Sequence, residues 1–110
     1  MILYVISMKA LIFNLKTEYF QEIKSGVKKE EYRLCNPYWT KRLAGKNFSK
    51  VIVKLGYPKK DDKDKEIIFP WNGYKIKTIS HKHFGSTPVK VFAIKLIKEE
   101  GLIYEKNNNT

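Results

Sequence analysis

The densest chemistry in this 110-residue chain lies in one ten-residue window, Lys24-Ser25-Gly26-Val27-Lys28-Lys29-Glu30-Glu31-Tyr32-Arg33. A helix stop at Gly26 is followed by residues that read as a strand. Alternation along that strand puts Glu31 and Arg33 on one face with Lys29, and Glu30 and Tyr32 on the other. Lys28, at the turn, can swing toward either side. A lysine, a carboxylate and one of only two arginines gathered at a helix–strand junction can form an ion-paired network lining a groove. Such a network can hold a phosphate or a base edge through its ammonium and guanidinium groups. It can also supply an activated lysine with a carboxylate as general base. The plainer alternative is a structural salt bridge between Glu31 and Arg33 or Lys28 that serves stability alone.

Other residues are weighed the same way. Tyr38, Trp39, Tyr57, Trp71 and Tyr74 offer flat faces near basic segments, and a base stacked on an aromatic ring gains about 1 to 3 kcal/mol. Most aromatics are core, and Trp39 and Phe92 are read so. Trp71 and Tyr74, beside Asn72-Gly73, are candidates to line the cleft. His81 and His83 are two apart in what reads as a strand, so they face opposite ways and cannot clamp a metal together; hydrogen-bonded structural roles are preferred and no metal site is expected. Cys35 has basic neighbours that favour a thiolate, but without a base partner close in sequence it reads as a small buried hydrophobe.

The elements that must position the window follow from pattern. Lys9 to Lys16 alternates, with Leu11, Phe13 and Leu15 on one side, and reads as a buried strand. Thr17 reads as the cap of a two-turn helix over Glu18–Ser25, with Tyr19, Phe20 and Ile23 at helical spacing. Asn36-Pro37 breaks the following strand and starts a short helix that turns Trp39 and Leu43 inward before Gly45. Val51 to Tyr57 is β-branched and closed by Pro58. Lys59 to Lys65 reads as a solvated hairpin loop. Glu66 to Trp71 and Tyr74 to His81 read as strands joined at Asn72-Gly73, with Pro70 marking an edge. Val89 to Ile97 reads as a strand buried on both faces.

Composition bounds the class. Hydrophobic residues at 43% with 30% charged residues give a globular domain rather than a disordered chain. The length suits a single domain over residues 1–110, with 1–7 as an extension or extra edge strand, Met8 as an alternative start, and 106–110 as a frayed tail. A single cysteine excludes an internal disulfide framework. The apolar opening is too short, and lacks the basic flank, for a signal peptide or a membrane span. A cytoplasmic protein without membrane attachment, metal or other cofactor is expected. Twenty-two Lys+Arg against eleven Asp+Glu give +11 at pH 7, the footprint of a protein that meets polyanions, although lysine-rich chains also arise from selection for solubility.

Gly26-x-Lys28-x-x-Glu31-x-Arg33 resembles the G-x-K-x-x-E-x-R signature of the ASCH family, named for activating signal cointegrator homology. The strand from Met8, the helix Glu18–Ile23, the Pro37-Tyr38-Trp39 break and the strand Val91–Ile94 are similar to those of small bacterial and phage members, so the resemblance spans roughly residues 8 to 98. It implies an α+β fold: a small, mainly β barrel of five or six strands related to the PUA fold, with two short helices. It also implies a cleft, lined by the motif, that binds RNA or a nucleotide. Some members resemble acetylcytidine amidohydrolases and others are reported to cleave RNA. In the amidohydrolases a motif lysine matches Lys28, a threonine stands where this chain has Glu31, and a distant glutamate acts, for which Glu66 is the strand-borne candidate. Ligand-binding residues expected on this reading are Gly26, Lys28, Glu31, Arg33, Trp71 and Tyr74. The leading expectation is an RNA- or nucleotide-binding module. A nucleoside amidohydrolase or ribonuclease using Lys28 and Glu31 is the alternative, and a basic scaffold for an acidic protein partner is a third.

Overall fold

In the computed structural model the described residues are 8–60 and 62–98. The expected extension at 1–7 and frayed tail at 106–110 lie outside them, as does the side chain of His83. Strand β1 (Leu11–Leu15) follows its alternation, burying Leu11, Phe13 and Leu15 and exposing Ile12 and Asn14. Helix α1 (Thr17–Lys24) buries Phe20 and Ile23. It starts one residue earlier than the pattern suggests, because Thr17 is already helical and Lys16 takes the cap position without a side-chain hydrogen bond. Gly26 ends it at φ +84°, in the left-handed region that glycine enters without steric cost. The Ser25 and Gly26 N–H groups donate to the carbonyls of Gln21 and Ile23.

Strand β2 (Glu30–Leu34) leads to helix α2 (Pro37–Leu43), where the Asn36 side chain accepts from the Trp39 N–H at 2.9 Å and proline occupies the first turn. Four strands complete the described fold: β3 (Val51–Leu55), β4 (Glu66–Phe69), β5 (Tyr74–Ile79) and β6 (Val89–Lys95). The loop between β3 and β4 contains a short 3-10 turn at Lys63–Lys65, and these two strands pair antiparallel as a hairpin would.

The six strands form two three-stranded sheets, ordered β1-β3-β4 and β2-β6-β5. In the first, β1 runs parallel to β3 with Leu11 opposite Val51 and Leu15 opposite Leu55. In the second, β6 is central and antiparallel to both neighbours. Residues Val91 to Ile94 are buried on both faces, as a continuous apolar run in a central strand requires. One core draws on both sheets and both helices, including Phe13, Phe20, Leu43, Val53, Phe92 and Ile94. The fold is therefore α+β, with two sheets packed around one core, and no backbone ladder joins the sheets into a ring among the described residues.

Two expectations are corrected. Asn72-Gly73 does not close a hairpin between β4 and β5, because β5 pairs along its whole length with β6, from Tyr74 opposite Ile94 to Ile79 opposite Val89. Pro70 has no N–H to extend the β4 ladder, and residues 70–73 carry the chain from one sheet to the other. Trp71 is held on the way, edge-on to Phe48 with ring centroids 4.9 Å apart. The turn signal was real, since Gly73 has φ +75°, but a turn propensity does not say which strands pair. Strand β5 also ends at Ile79, so His81 lies in a connection before a 3-10 turn at Lys82–Phe84 and strand alternation does not govern the two histidines.

Candidate functional site

Among the described residues β1 and β2 are the outer strands of their respective sheets, and a cavity of ≈ 160 Å3 opens where they meet. The end of β1 contributes Asn14, Leu15 and Lys16. Helix α1 contributes Tyr19, and the turn after it Lys28. Strand β2 contributes Glu31, Tyr32 and Arg33, and the connection after β5 contributes His81 and Phe84. Among the described residues β2 pairs with β6 alone, and residues from both of its faces border the same cavity. The turn is fixed locally: with Gly26 left-handed, the chain folds back so that the Lys28 N–H donates to the Glu22 carbonyl at 3.0 Å.

Glu31 is 5% exposed, the one polar or charged residue among the buried side chains of the described residues. A buried carboxylate persists only with partners. It has two: Lys28 Nζ donates to Oε1 at 2.9 Å, and Arg33 Nη2 lies 2.7 Å from Oε2. Each oxygen thus holds one cation. The Arg33 guanidinium also lies over the ring of Phe13 at 4.7 Å and that of Trp39 at 5.1 Å, contacts that tie β2 to β1 and α2. Its Nε is buried with no hydrogen-bond partner among the described residues. Lys28 Nζ lies 5.3 Å from the Tyr19 ring centroid and 5.8 Å from that of Tyr32. With Lys16 on the rim, the cavity presents three cations and one carboxylate between aromatic walls.

A second polar cluster braces the Tyr32 wall. The Tyr32 hydroxyl donates to Glu30 Oε1 at 3.0 Å, and Lys77 Nζ on β5 donates to both Glu30 oxygens at 2.8 Å, reaching across the central strand. Burial opposes ionisation of Glu30, but the hydrogen bonds from Lys77 and Tyr32 outweigh it and hold the carboxyl below its ordinary range. Tyr32 is pushed up, first by burial and then by its bond to Glu30. The Lys77 ammonium is likewise held above its usual range by Glu30, against a smaller opposing effect of burial.

The structure brings together Lys28, Glu31 and Arg33: Glu31 and Arg33 share a strand face, and Lys28 reaches them from the turn. Lys29, grouped with them by parity, borders the two neighbouring hollows instead. Gly26 shapes the turn without bordering the cavity. Tyr74 packs edge-on against Phe92 at 4.9 Å and borders a neighbouring hollow of ≈ 500 Å3 that shares Lys28, Tyr32 and His81 with the first. Trp71 lies against Phe48 and donates from Nε1 to Asn47 Oδ1 at 3.3 Å, and borders none of these hollows. Glu66 borders a third concavity of ≈ 800 Å3 beyond the Gly26 turn, where Lys24, Lys28, Lys29, Lys63 and Lys98 also lie. It is 3.8 Å from Lys54. Cys35 is half-buried against the core, and burial pushes its thiol up and outweighs the opposing charge of Lys90, in keeping with the small-hydrophobe reading preferred over a thiolate.

Sequence reasoning missed Asn14, Lys16, Tyr19, Tyr32, His81 and Phe84 as wall residues. Only Tyr32 carried a local signal, being interleaved with Glu31 and Arg33; the others arrive from distant parts of the chain. Among the described residues no group of His, Cys, Asp and Glu could hold a metal ion, and no helix is long and apolar enough to cross a membrane. No family model, curated protein or solved structure matches the chain, so the reading of the site rests on its geometry and on the motif.

Proposed function

We propose that the protein is an ASCH-type module that binds RNA or a nucleotide, with a single base received in the cavity between β1 and β2. The observation that carries this reading is the buried Glu31 clamping Lys28 and Arg33 at an aromatic-walled cavity. Fixed cations without an acidic surplus suit an anionic or acceptor-rich ligand, and flat walls suit a ring. The size suits one base, since ≈ 160 Å3 is well below the roughly 300 to 1,000 Å3 of pockets for drug-sized ligands. Lysines in the two adjoining hollows and the surplus of +11 supply the field that draws a polyanion toward it. Closure of the two sheets into a PUA-like barrel belongs to the same reading.

The contacts of Lys28 Nζ are those of a cation: a carboxylate and two π faces. They favour a binding role over the hydrolase alternative, in which Lys28 would act as a neutral nucleophile and Glu31 as its base. The deciding measurement is fluorescence anisotropy with labelled single-stranded RNA across a salt series. Wild-type affinity is expected to fall as salt rises, and Lys28→Ala with Arg33→Ala to abolish saturable binding in a protein whose thermal melt still shows a folded state. Binding unchanged by that pair of substitutions would refute the site. Turnover of acylated cytidines or RNA, lost on Lys28→Ala, would replace binding with hydrolysis.

A further inference from the structure

We propose that the cavity selects keto bases, uracil and guanine, over their amino counterparts cytosine and adenine. This inference rests on the base-binding reading above and adds the identity of the base. The charged side chains that border the cavity are weighted to donors, three cations to one carboxylate, while Asn14, Tyr19, Tyr32 and His81 are groups that can both donate and accept. Lys16, Lys28 and Arg33 carry only donors. Glu31 is buried, with one oxygen engaged by Lys28 and the other by Arg33. Asn14 spends its amide nitrogen on the Gly56 carbonyl at 2.7 Å, leaving Oδ1 as its acceptor at the rim. The backbone carbonyls of Leu15 and Lys16 already accept from the N–H groups of Gly56 and Phe20.

The edge that enters first is set by size. A cavity of ≈ 160 Å3 admits a ring but not its ribose, so a base enters with the edge remote from the glycosidic bond: C4 of a pyrimidine or C6 of a purine. At that position uracil and guanine carry a keto oxygen, which accepts from Lys28 and Arg33. Cytosine and adenine carry an amino group there, which turns donor hydrogens toward two cations. Cytosine has acceptors at N3 and O2, but N3 stands behind the amino group that leads at C4, and O2 is on the carbon next to the glycosidic nitrogen, so neither leads into the cavity. Guanine presents O6 together with N7, the acceptor pair that arginine and lysine read in nucleic acids; adenine shares N7, so the group at C6 is what separates the two purines.

The test is calorimetric titration of the full chain with the 5′-monophosphates of uridine, cytidine, guanosine and adenosine, and with inorganic phosphate. The uridine and guanosine nucleotides are expected to bind about tenfold more tightly than the cytidine and adenosine ones, a ratio typical of one well-made base contact. Lys28→Met, which leaves Glu31 paired with Arg33, is expected to collapse that ratio. Should this variant not fold, the wild-type ratio of uridine to cytidine nucleotide, which differ only at C4 and the adjoining N3, decides alone. Equal binding of all four nucleotides, or preference for the amino bases, overturns keto selection and leaves base binding standing. Failure of every nucleotide to bind, or equal binding of inorganic phosphate, overturns base binding itself.

Discussion

At the scale of single residues, Glu31 is where burial and charge are in tension. A carboxylate that is 5% exposed gives up its hydration, and two cations at 2.9 and 2.7 Å compensate for it. Removing the carboxylate alone strands those cations against each other, and a broken buried pair costs about 3 to 5 kcal/mol. That is a large share of the roughly 5 to 15 kcal/mol that stabilises an ordinary domain. Glu31→Ala is therefore expected to lower the urea midpoint severely. Replacing all three charges with apolar residues of similar volume, Lys28→Met, Glu31→Leu and Arg33→Met, is expected to cost far less while abolishing ligand binding. A triple variant less stable than the single one would show that the triad is held for stability. The result expected here marks it as held for the ligand.

At the scale of elements, the turn from α1 into β2 decides where Lys28 points. Gly26 has φ +84°, and a Cβ built there meets nothing within 4 Å, so the requirement for glycine is one of backbone conformation rather than space. Gly26→Ala is expected to destabilise the fold by about 1 to 2 kcal/mol, the cost of a left-handed alanine, with Gly26→Asn milder. Equal stability of the alanine variant and wild type would mean that the turn can adopt another conformation. This turn was legible in the sequence because everything that defines it is local: a helix that runs out, a glycine, and side chains of fixed parity on a strand. The Glu30–Lys77 bond was not legible, since it joins residues 47 apart across a strand that had to be placed first. The link at Asn72-Gly73 was misread for a related reason. Its turn chemistry is local, but the choice of β6 rather than β4 as partner for β5 belongs to the packing of both sheets. Asn14, Lys16 and Phe84 reach the cavity by the same long-range assembly, so no spacing in the chain announces them.

At the scale of the whole molecule, acid and alkali press on different groups. The formal charge of +11 rises toward +24 once the eleven carboxylates are neutralised and both histidines are protonated, from 22 Lys+Arg plus two His. Self-repulsion then works against the compact state. Glu30 adds a specific contribution. Its carboxyl ionises below the ordinary range in the folded chain, so the stability it supplies is present above its unfolded pKa and is lost as pH falls through the lower folded value. Tyr32 and Lys77 titrate above their ordinary values in the folded chain, so their contributions are intact below the unfolded values and are lost as pH rises through the folded ones. Stability is therefore expected to be flat around neutrality and to fall at both ends. Thermal unfolding of wild type and Glu30→Gln, followed from about pH 7 to about pH 3, separates the specific contribution from the general one. Wild type is expected to melt higher near neutrality, and the gap to close as Glu30 takes up its proton. Added salt screens the general repulsion in both proteins alike, over roughly 10 Å at 0.1 M, but acts weakly on a contact of 2.8 Å. A gap that stays constant with pH would assign the effect to packing of the Tyr32 wall rather than to charge. A gap that closes makes the Lys77–Glu30–Tyr32 cluster an electrostatic brace for the cavity, and weaker nucleotide binding by Glu30→Gln at neutral pH should accompany it.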